Sequence, residues 1–319
     1  MKEIIINKNE ANLRFDKYLK KVLSNAPNSF IYKMLRKKNI VLNGKKADGT
    51  EKTKEGDVVK FFLSDDTFEK MSSSYTDSHI DYFNLDYSRQ IDVLYEDEDV
   101  CYLNKPAGLL TQSDESKEFC LNDYFLAYLF QNKKITEKEY KTFHPSISNR
   151  LDRNTSGIVL CGKSLKGLQD NAQMLKERTL EKHYYALVKG KVENEGLVLA
   201  YLSKDEASNK VQIVNEAKEG YQLIKTEYKI VEKLGECTLL DIHLITGRTH
   251  QIRAHLASLN HPIIGDYKYG DKNINDRYKK AINIKYQLLH SAKMIKDSFI
   301  VEAPLPDYFL KALEYAKEN

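Results

Sequence analysis

The stretch Asn149-Arg150-Leu151-Asp152-Arg153-Asn154-Thr155-Ser156-Gly157 sets one carboxylate between two guanidinium groups in a short polar turn, and the apolar run Ile158-Val159-Leu160-Cys161 follows at once. The apolar run reads as buried, so the turn stands against a core. Two flanking positive charges favour the ionised carboxylate. An anionic aspartate among arginines suits work on a polyanion: the arginines hold phosphates while the carboxylate attacks a carbon centre. Taken alone, an Arg-Asp-Arg loop is more often a solvated ion-pair network that contributes little. The neighbouring sequence has to decide.

Ser164 caps a helix whose residues Leu165, Leu168, Ala172 and Leu175 recur on one face, a core face rather than a ligand box. Glu181 to Gly190 reads as a strand, and its period of two puts Tyr184, Ala186 and Val188 on one side and His183, Tyr185 and Leu187 on the other. A tyrosine on the working face can stack on a pyrimidine, although in a chain with 21 tyrosines a satisfied core tyrosine is the commoner case. Farther on, Leu240-Asp241-Ile242-His243-Leu244 reads as a strand ending at Gly247, and a helix opens near Thr249 to bury Ile252, Leu256 and Leu259. Arg248 then stands at the strand–helix junction, where free backbone N–H groups also favour anions. His250 and His255 are five apart, roughly 140° around a helix, and cannot share one metal ion. A polar contact for the first and packing for the second are the expected uses.

The amino-terminal part differs in charge. Residues 1–63 hold 15 Lys/Arg against 7 Asp/Glu, a net +8, which leaves −4 for the rest of a chain totalling +4. Phe15, Leu19 and Leu23 recur at helical spacing after a cap at Asn12, with Lys17, Lys20 and Lys21 on the other faces. Asn25-Ala26-Pro27-Asn28 breaks that helix. Ser29 caps the next, where Ile31 and Leu35 face inward and Lys33, Arg36, Lys37 and Lys38 project outward. Ile40-Val41-Leu42 runs into Asn43-Gly44, a strong hairpin signal, then Lys45-Lys46; Val58 to Leu63 closes the sheet. Two short helices and a hairpin with a basic rim resemble the small αL RNA-binding module of a ribosomal small-subunit protein. The residues that match are Arg14-Phe15-Asp16-Lys17-Tyr18-Leu19, Ser29, Ile31, Leu35-Arg36 and Val41-Leu42-Asn43-Gly44-Lys45.

From Ser64 to about Arg89 the composition shifts to Ser, Asp and Thr without a sustained period, which reads as a linker. Beyond residue 90, short alternating strands are interrupted by a few helices. The expected organisation is a basic module over 1–63, a linker over 64–90 and a catalytic domain over 91–319. Its fold class is α+β: a mainly antiparallel sheet domain preceded by a small α/β RNA-binding module. Apolar residues are 41% of the chain, yet no apolar run approaches the length of a membrane span and the amino terminus lacks a secretory pattern. Four scattered cysteines without metal-ligand spacing fit reduced thiols in the cytoplasm.

Together, Arg150-Leu151-Asp152-Arg153-Asn154-Thr155-Ser156-Gly157, Lys182 to Gly190, Thr246 to His255 and His261-Pro262-Ile263 resemble the pseudouridine synthases of bacterial large-subunit ribosomal RNA, the RluA/RluC-like family. The resemblance implies an isomerase that turns uridine into pseudouridine in RNA, needing neither metal nor other cofactor. It implies that Asp152 is the nucleophile and that Tyr184 packs on the uracil. Arg150 would fill the gap left by the flipped base. Arg248 is the chosen basic partner of Asp152, ahead of Arg253. The substrate contacts expected are Arg150, Arg153, Thr155, Arg253 and His250, with Lys33, Arg36, Lys37, Lys38, Lys45 and Lys46 binding RNA in the module. Tyr267-Lys268-Tyr269-Gly270-Asp271 points toward the RluC-like branch. In this family the catalytic turn usually begins with histidine; here Asn149 stands there, and its amide is expected to bond the turn backbone instead.

The expected partner is large-subunit ribosomal RNA, with transfer RNA open, and the expected enzyme is a monomer. A non-catalytic ribosome-assembly factor is the rival class, and a base-excising N-glycosidase is the rival chemistry. Deleting residues 1–63 is expected to weaken RNA binding and flatten its salt dependence; an unchanged slope in a salt titration would refute the module's role.

Overall fold

The computed structural model describes residues 1–72, 80–114, 118–205 and 210–319. The first unit contains β1 (Lys2–Ile5), α1 (Phe15–Val22), α2 (Asn28–Arg36), β2 (Ile40–Leu42), β3 (Lys45–Lys46), β4 (Val58–Phe61) and α3 (Asp65–Met71). Its sheet has the order β1-β4-β2-β3. Phe15, Tyr18 and Leu19 of α1 and Ile31 and Leu35 of α2 pack on Ile40, Val59 and Phe61 of the sheet. The Asn43-Gly44 turn has φ of 51° and 71°, both left-handed, as a tight two-residue hairpin requires. The helix starts differ from the sequence reading. Asn12 occupies a left-handed turn at φ 62° and Arg14 precedes α1. Pro27 precedes α2 with Ser29 already inside it. β1 carries too little pattern to be read from four residues.

Most of the expected linker is structure. Ser64 caps α3 by accepting from Thr67 N, and Phe68 packs edge-on against Phe61 at 5.2 Å. Tyr82 stacks on Phe130 at 5.8 Å, and the Gln131 amide donates to the carbonyls of Tyr82 (2.9 Å) and Leu85 (2.8 Å). Isolated aromatic anchors and side-chain-to-backbone bonds have no period, so the sequence pattern missed them; residues 73–79 of that stretch lie outside the described residues. The first unit is also bonded to the rest. The Thr142 hydroxyl donates to buried Glu10 at 2.5 Å, Lys21 donates to the Thr142 carbonyl at 2.9 Å, and Leu165 N donates to Asn9 at 3.0 Å.

The second sheet is built from β5 (Asp92–Glu96), β6 (Val100–Lys105), β7 (Ser146–Ile147), β8 (Ser156–Gly162), β9 (Glu181–Lys189), β10 (Gly196–Asp205), β11 (Lys210–Val214), β12 (Gln222–Leu234), β13 (Cys237–Leu244), β14 (Leu289–Lys296) and β15 (Phe299–Glu302). Its path is β11-β10-β12-β13-β9-β14-β8-β6-β5, with β15 on β14 and β7 on β8. The pairs are antiparallel except β14 with β8. The fold is thus the expected α+β arrangement with a mainly antiparallel sheet. Helices α4 (Leu121–Gln131), α5 (Glu137–Tyr140), α6 (Leu165–Glu177), α7 (Gln251–Ser258), α8 (Lys272–Ile282) and α9 (Asp307–Glu318) surround it. Tyr184, Ala186 and Val188 share one core with Leu240, Ile242, Phe125 of α4 and Ile252 of α7, while Leu187 faces Tyr278 of α8 and Phe309 of α9. Alternation in β9 is therefore as the sequence implied. In α6 the buried residues are Gly167 and Asn171, and Ala172 is exposed. A Cβ on Gly167 would come within 2.0 Å of the Asp99 carbonyl, so the helix rests on that strand turn through its glycine rather than through Ala172. Among the described residues no helix is long and apolar enough to cross a membrane.

The parallel junction carries the site. At β8/β14, Ser291 sits opposite Gly157, whose φ is 107° and whose absent Cβ would lie 2.2 Å from the Ser291 carbonyl oxygen. Beside it the Ser156 hydroxyl bonds His290 Nδ1 at 2.8 Å, and burial pushes that imidazole down to about 4. Gly157→Ala combines an unfavourable φ with backbone overlap and is expected to cost about 2–4 kcal/mol in a urea melt. A variant as stable as the parent would show that the junction can relax.

Candidate active site

The turn between β7 and β8 is held from below. Thr111 Oγ1 donates to the Leu151 carbonyl at 2.7 Å and accepts from Leu151 N at 3.2 Å. Asn149 Oδ1 accepts from Leu160 N at 2.7 Å, so the amide does bond the strand that follows the turn. Thr155 N donates to the Asp152 carbonyl at 3.0 Å, and the Thr155 hydroxyl receives Gln287 Nε2 at 2.7 Å. Under the turn lies Lys105, fully buried, donating to the carbonyls of Pro106 (2.9 Å), Leu109 (2.7 Å) and Arg153 (3.0 Å). Burial pulls this ammonium down to about 7, against the opposing pull of nearby Asp152.

Asp152 projects from this platform, and the arginine it meets comes from far along the chain. Arg253 Nη1 donates to Asp152 Oδ2 at 2.7 Å. The rest of the guanidinium is a fork on Asp266: Nε to Oδ2 at 2.7 Å and Nη2 to Oδ1 at 3.0 Å. Asp266 is almost fully buried and also accepts from Lys268 N (2.9 Å) and Tyr269 N (3.2 Å). Burial works against the Arg253 charge, but the two carboxylates outweigh it and hold the guanidinium pKa above its ordinary value. The Tyr269 ring lies against Arg253 at 5.3 Å, and its hydroxyl accepts from Val211 N (3.1 Å) and bonds His250 Nδ1 (2.9 Å). His250 Nε2 stands 4.0 Å from Asp152 Oδ1, and burial lowers its pKa more than the Asp152 charge raises it.

Tyr184, Leu244, Ile252 and Leu289 supply apolar wall to a small cavity of about 70 Å³, and Asp152, Arg253, Arg150, Arg248 and His250 are among its polar lining. Burial, with the Asp152 charge adding to it, pushes the Tyr184 phenol up to about 12, so the ring stays neutral. A cleft of about 830 Å³ shares Asp152, Tyr184 and Arg253 and is lined as well by Arg150, Arg153, Lys182, Lys204 and Arg248. Six cations thus face one carboxylate there. Such a cleft is built for an anionic chain, and the small cavity that shares its Asp152 and Tyr184 combines apolar walls from Tyr184, Leu244, Ile252 and Leu289 with polar groups, which suits a flat polar ring.

Two expectations change. The basic partner of Asp152 is Arg253, not Arg248. The helix begins at Gln251, two residues later than expected, so Arg253 lies in its first turn and points inward. Arg248 remains exposed in the preceding turn, its N–H donating to Gln251 Oε1 at 3.1 Å. The sequence-adjacent arginines do not pair with Asp152 either: Arg153 bonds the Gly108 carbonyl at 3.1 Å and pairs with Glu118, while Arg150 is exposed at the cleft. His250 and His255 keep separate partners, the latter on Thr226 at 3.0 Å. Sequence reading missed Asp266, Tyr269 and Lys105 as site residues. A carboxylate on a loop and a lysine before a proline carry no period, and only the Tyr267–Asp271 stretch drew notice.

Comparison with known proteins identifies the family. The model of the family described as RNA pseudouridylate synthase matches residues 99–258. The ribosomal large subunit pseudouridine synthase C of Vibrio cholerae is 30% identical over 97% of this chain and 95% of its own length. That of Rickettsia felis is 32% identical over 93% and 94%, and an uncharacterized RNA pseudouridine synthase of Mycoplasma capricolum is 32% identical over 91% and 93%. Among solved structures, human RNA pseudouridylate synthase domain containing 4 superposes with a TM-score of 0.57 at 21% identity, covering 73% of this chain and 94% of that one, and so shares the fold. Asp266→Ala would strand the buried Arg253 guanidinium with half its partners. It is expected to cost about 3–5 kcal/mol in urea unfolding; an unshifted midpoint would show that Arg253 does not depend on it.

Proposed function

The chain belongs to the RNA pseudouridylate synthase family, and from that premise we propose that it isomerises uridines of large-subunit ribosomal RNA, using Asp152 as nucleophile on a flipped-out base. The observation that carries this reading is a carboxylate tied to Arg253 beside the Tyr184 ring, at the floor of an otherwise cationic cleft. In the reaction the bond from ribose C1′ to ring N1 breaks, the base turns, and C1′ bonds to ring C5. C5 gives up its proton and N1 gains one, so nothing is added or lost overall. Asp152 Oδ2 is engaged by Arg253, which leaves Oδ1 to act on the sugar. Arg253 holds the carboxylate in place through its N–H bond and supplies the neighbouring positive charge. Tyr184 supplies a neutral face for the uracil.

Arg150, exposed at the cleft mouth, has the reach and planarity to stack in the helix the base has left. Arg248, Arg153, Thr155 and His250 line or brace the same cleft and contact the strand around the target. In the first unit Lys33, Arg36, Lys37, Lys38, Lys45 and Lys46 are all exposed, forming a basic face for the same RNA. The substrate class follows the relatives named for the ribosomal large subunit, which match nearly end to end. The enzyme works as a cytoplasmic monomer without a cofactor. A non-catalytic RNA binder gains nothing from an aspartate clamped beside a buried tyrosine, which argues for turnover.

Asp152→Ala is expected to abolish tritium release from RNA carrying 5-³H-uridine, by at least about 10⁴-fold, while RNA affinity changes little. Normal release by the variant would overturn the assignment. Release of free uracil would instead make the enzyme a glycosidase. Carbodiimide-dependent reverse-transcription stops in ribosomal and transfer RNA, with and without the gene, identify the substrate.

A further inference from the structure

Lys182 is a cation of the cleft that is half-buried and yet has no counter-charge among the described residues. It lies two residues before Tyr184 on β9, so both side chains leave the strand on the same side and enter the same cleft. It is half-buried, and its ammonium makes no hydrogen bond or ion pair with any described residue. Burial, helped by Arg178 as the neighbouring charge, lowers its pKa. Arg153 answers to Glu118 and Arg253 to two aspartates; Arg150 and Arg248 have no ion pair among the described residues but are exposed to solvent, whereas Lys182 is half-buried. The chain leaves room above it, for a Cβ on Gly247 would still be 3.9 Å from the ammonium, with nothing nearer. Arg248 follows at once on the rim.

A desolvated ammonium facing another cation is unfavourable by itself. Its position is explained if the missing charge arrives with the substrate. We propose that Lys182, with Arg248 on the same cleft wall beside Gly247, forms a binding site for one backbone phosphodiester of the RNA strand that delivers the target nucleotide. The inference rests on the cleft being an RNA channel and adds to it a place for one phosphate. Lysine suits this role as a compact point charge that needs no fixed orientation. One strand then serves both ends of the nucleotide: Tyr184 takes the base and Lys182 the phosphate that anchors it.

The test compares full-length protein with Lys182→Met and Lys182→Arg in binding titrations on a ribosomal RNA fragment at several salt concentrations. Thermal unfolding and tritium release by the unaltered enzyme are run alongside. Lys182→Met should bind about tenfold more weakly at low salt and lose about 0.7–0.9 from the slope of log affinity against log salt, the share of one phosphate contact. Lys182→Arg should retain the slope. The methionine variant should melt no lower than the parent, because it gives up a charge with no folded-state partner. A structural lysine would lower the melting temperature instead, and that result, or an unchanged slope, overturns the phosphate site. If the unaltered enzyme releases tritium while the slope is unmoved, only this site falls; if it releases none, the catalytic reading fails first.

Discussion

The ion chain Asp152–Arg253–Asp266 is the interaction on which the site depends. Each carboxylate comes from a different loop, and the guanidinium that joins them from the first turn of α7. With a side chain about one-tenth exposed, Arg253 has no water to fall back on, and Asp266 beside it has almost none. A buried charge is tolerated only when paired and fully bonded. Asp266 takes two of the guanidinium's faces, which leaves one N–H direction for Asp152. Asp266 thereby fixes the guanidinium that orients Asp152.

That arrangement needs the loops to be brought together, and the sheet does this at its parallel junction. β8 and β14 approach closely because Gly157 has no side chain, and the catalytic turn emerges just before it. Lys105 and Thr111 tie the turn to the loop after β6, and Asn149 ties it to β8. These contacts fix the backbone on both sides of Asp152, so its carboxylate is presented rather than searching. Asn149 makes this bond as an acceptor without a titrating group.

The amino-terminal unit is bonded to the catalytic sheet through a buried carboxylate and through Lys21 and Asn9. It is therefore fastened to the larger unit by these bonds rather than joined to it only through the chain. Composition alone read the following segment as a tether. Phe68 and Tyr82 show why that reading failed: single aromatic anchors bury as much surface as a short helix face but leave no repeat to detect.

Local chemistry was legible in the chain. The alternation of β9, the Asn43-Gly44 hairpin, the strand into Leu244 and the charged turn around Asp152 each follow from spacing and residue type, which act over a few positions. Pairing across the fold was not. Arg150 and Arg153 flank Asp152 in the sequence yet neither pairs with it, while Arg253 reaches it from 101 residues on. Which arginine meets the aspartate depends on where α7 begins and on the buried Asp266 that orients it. Sequence by itself determined that an aspartate would stand among cations on a mainly antiparallel sheet. Only the tertiary structure decided which cation holds it, because burial, not adjacency, selects the partner of a charge.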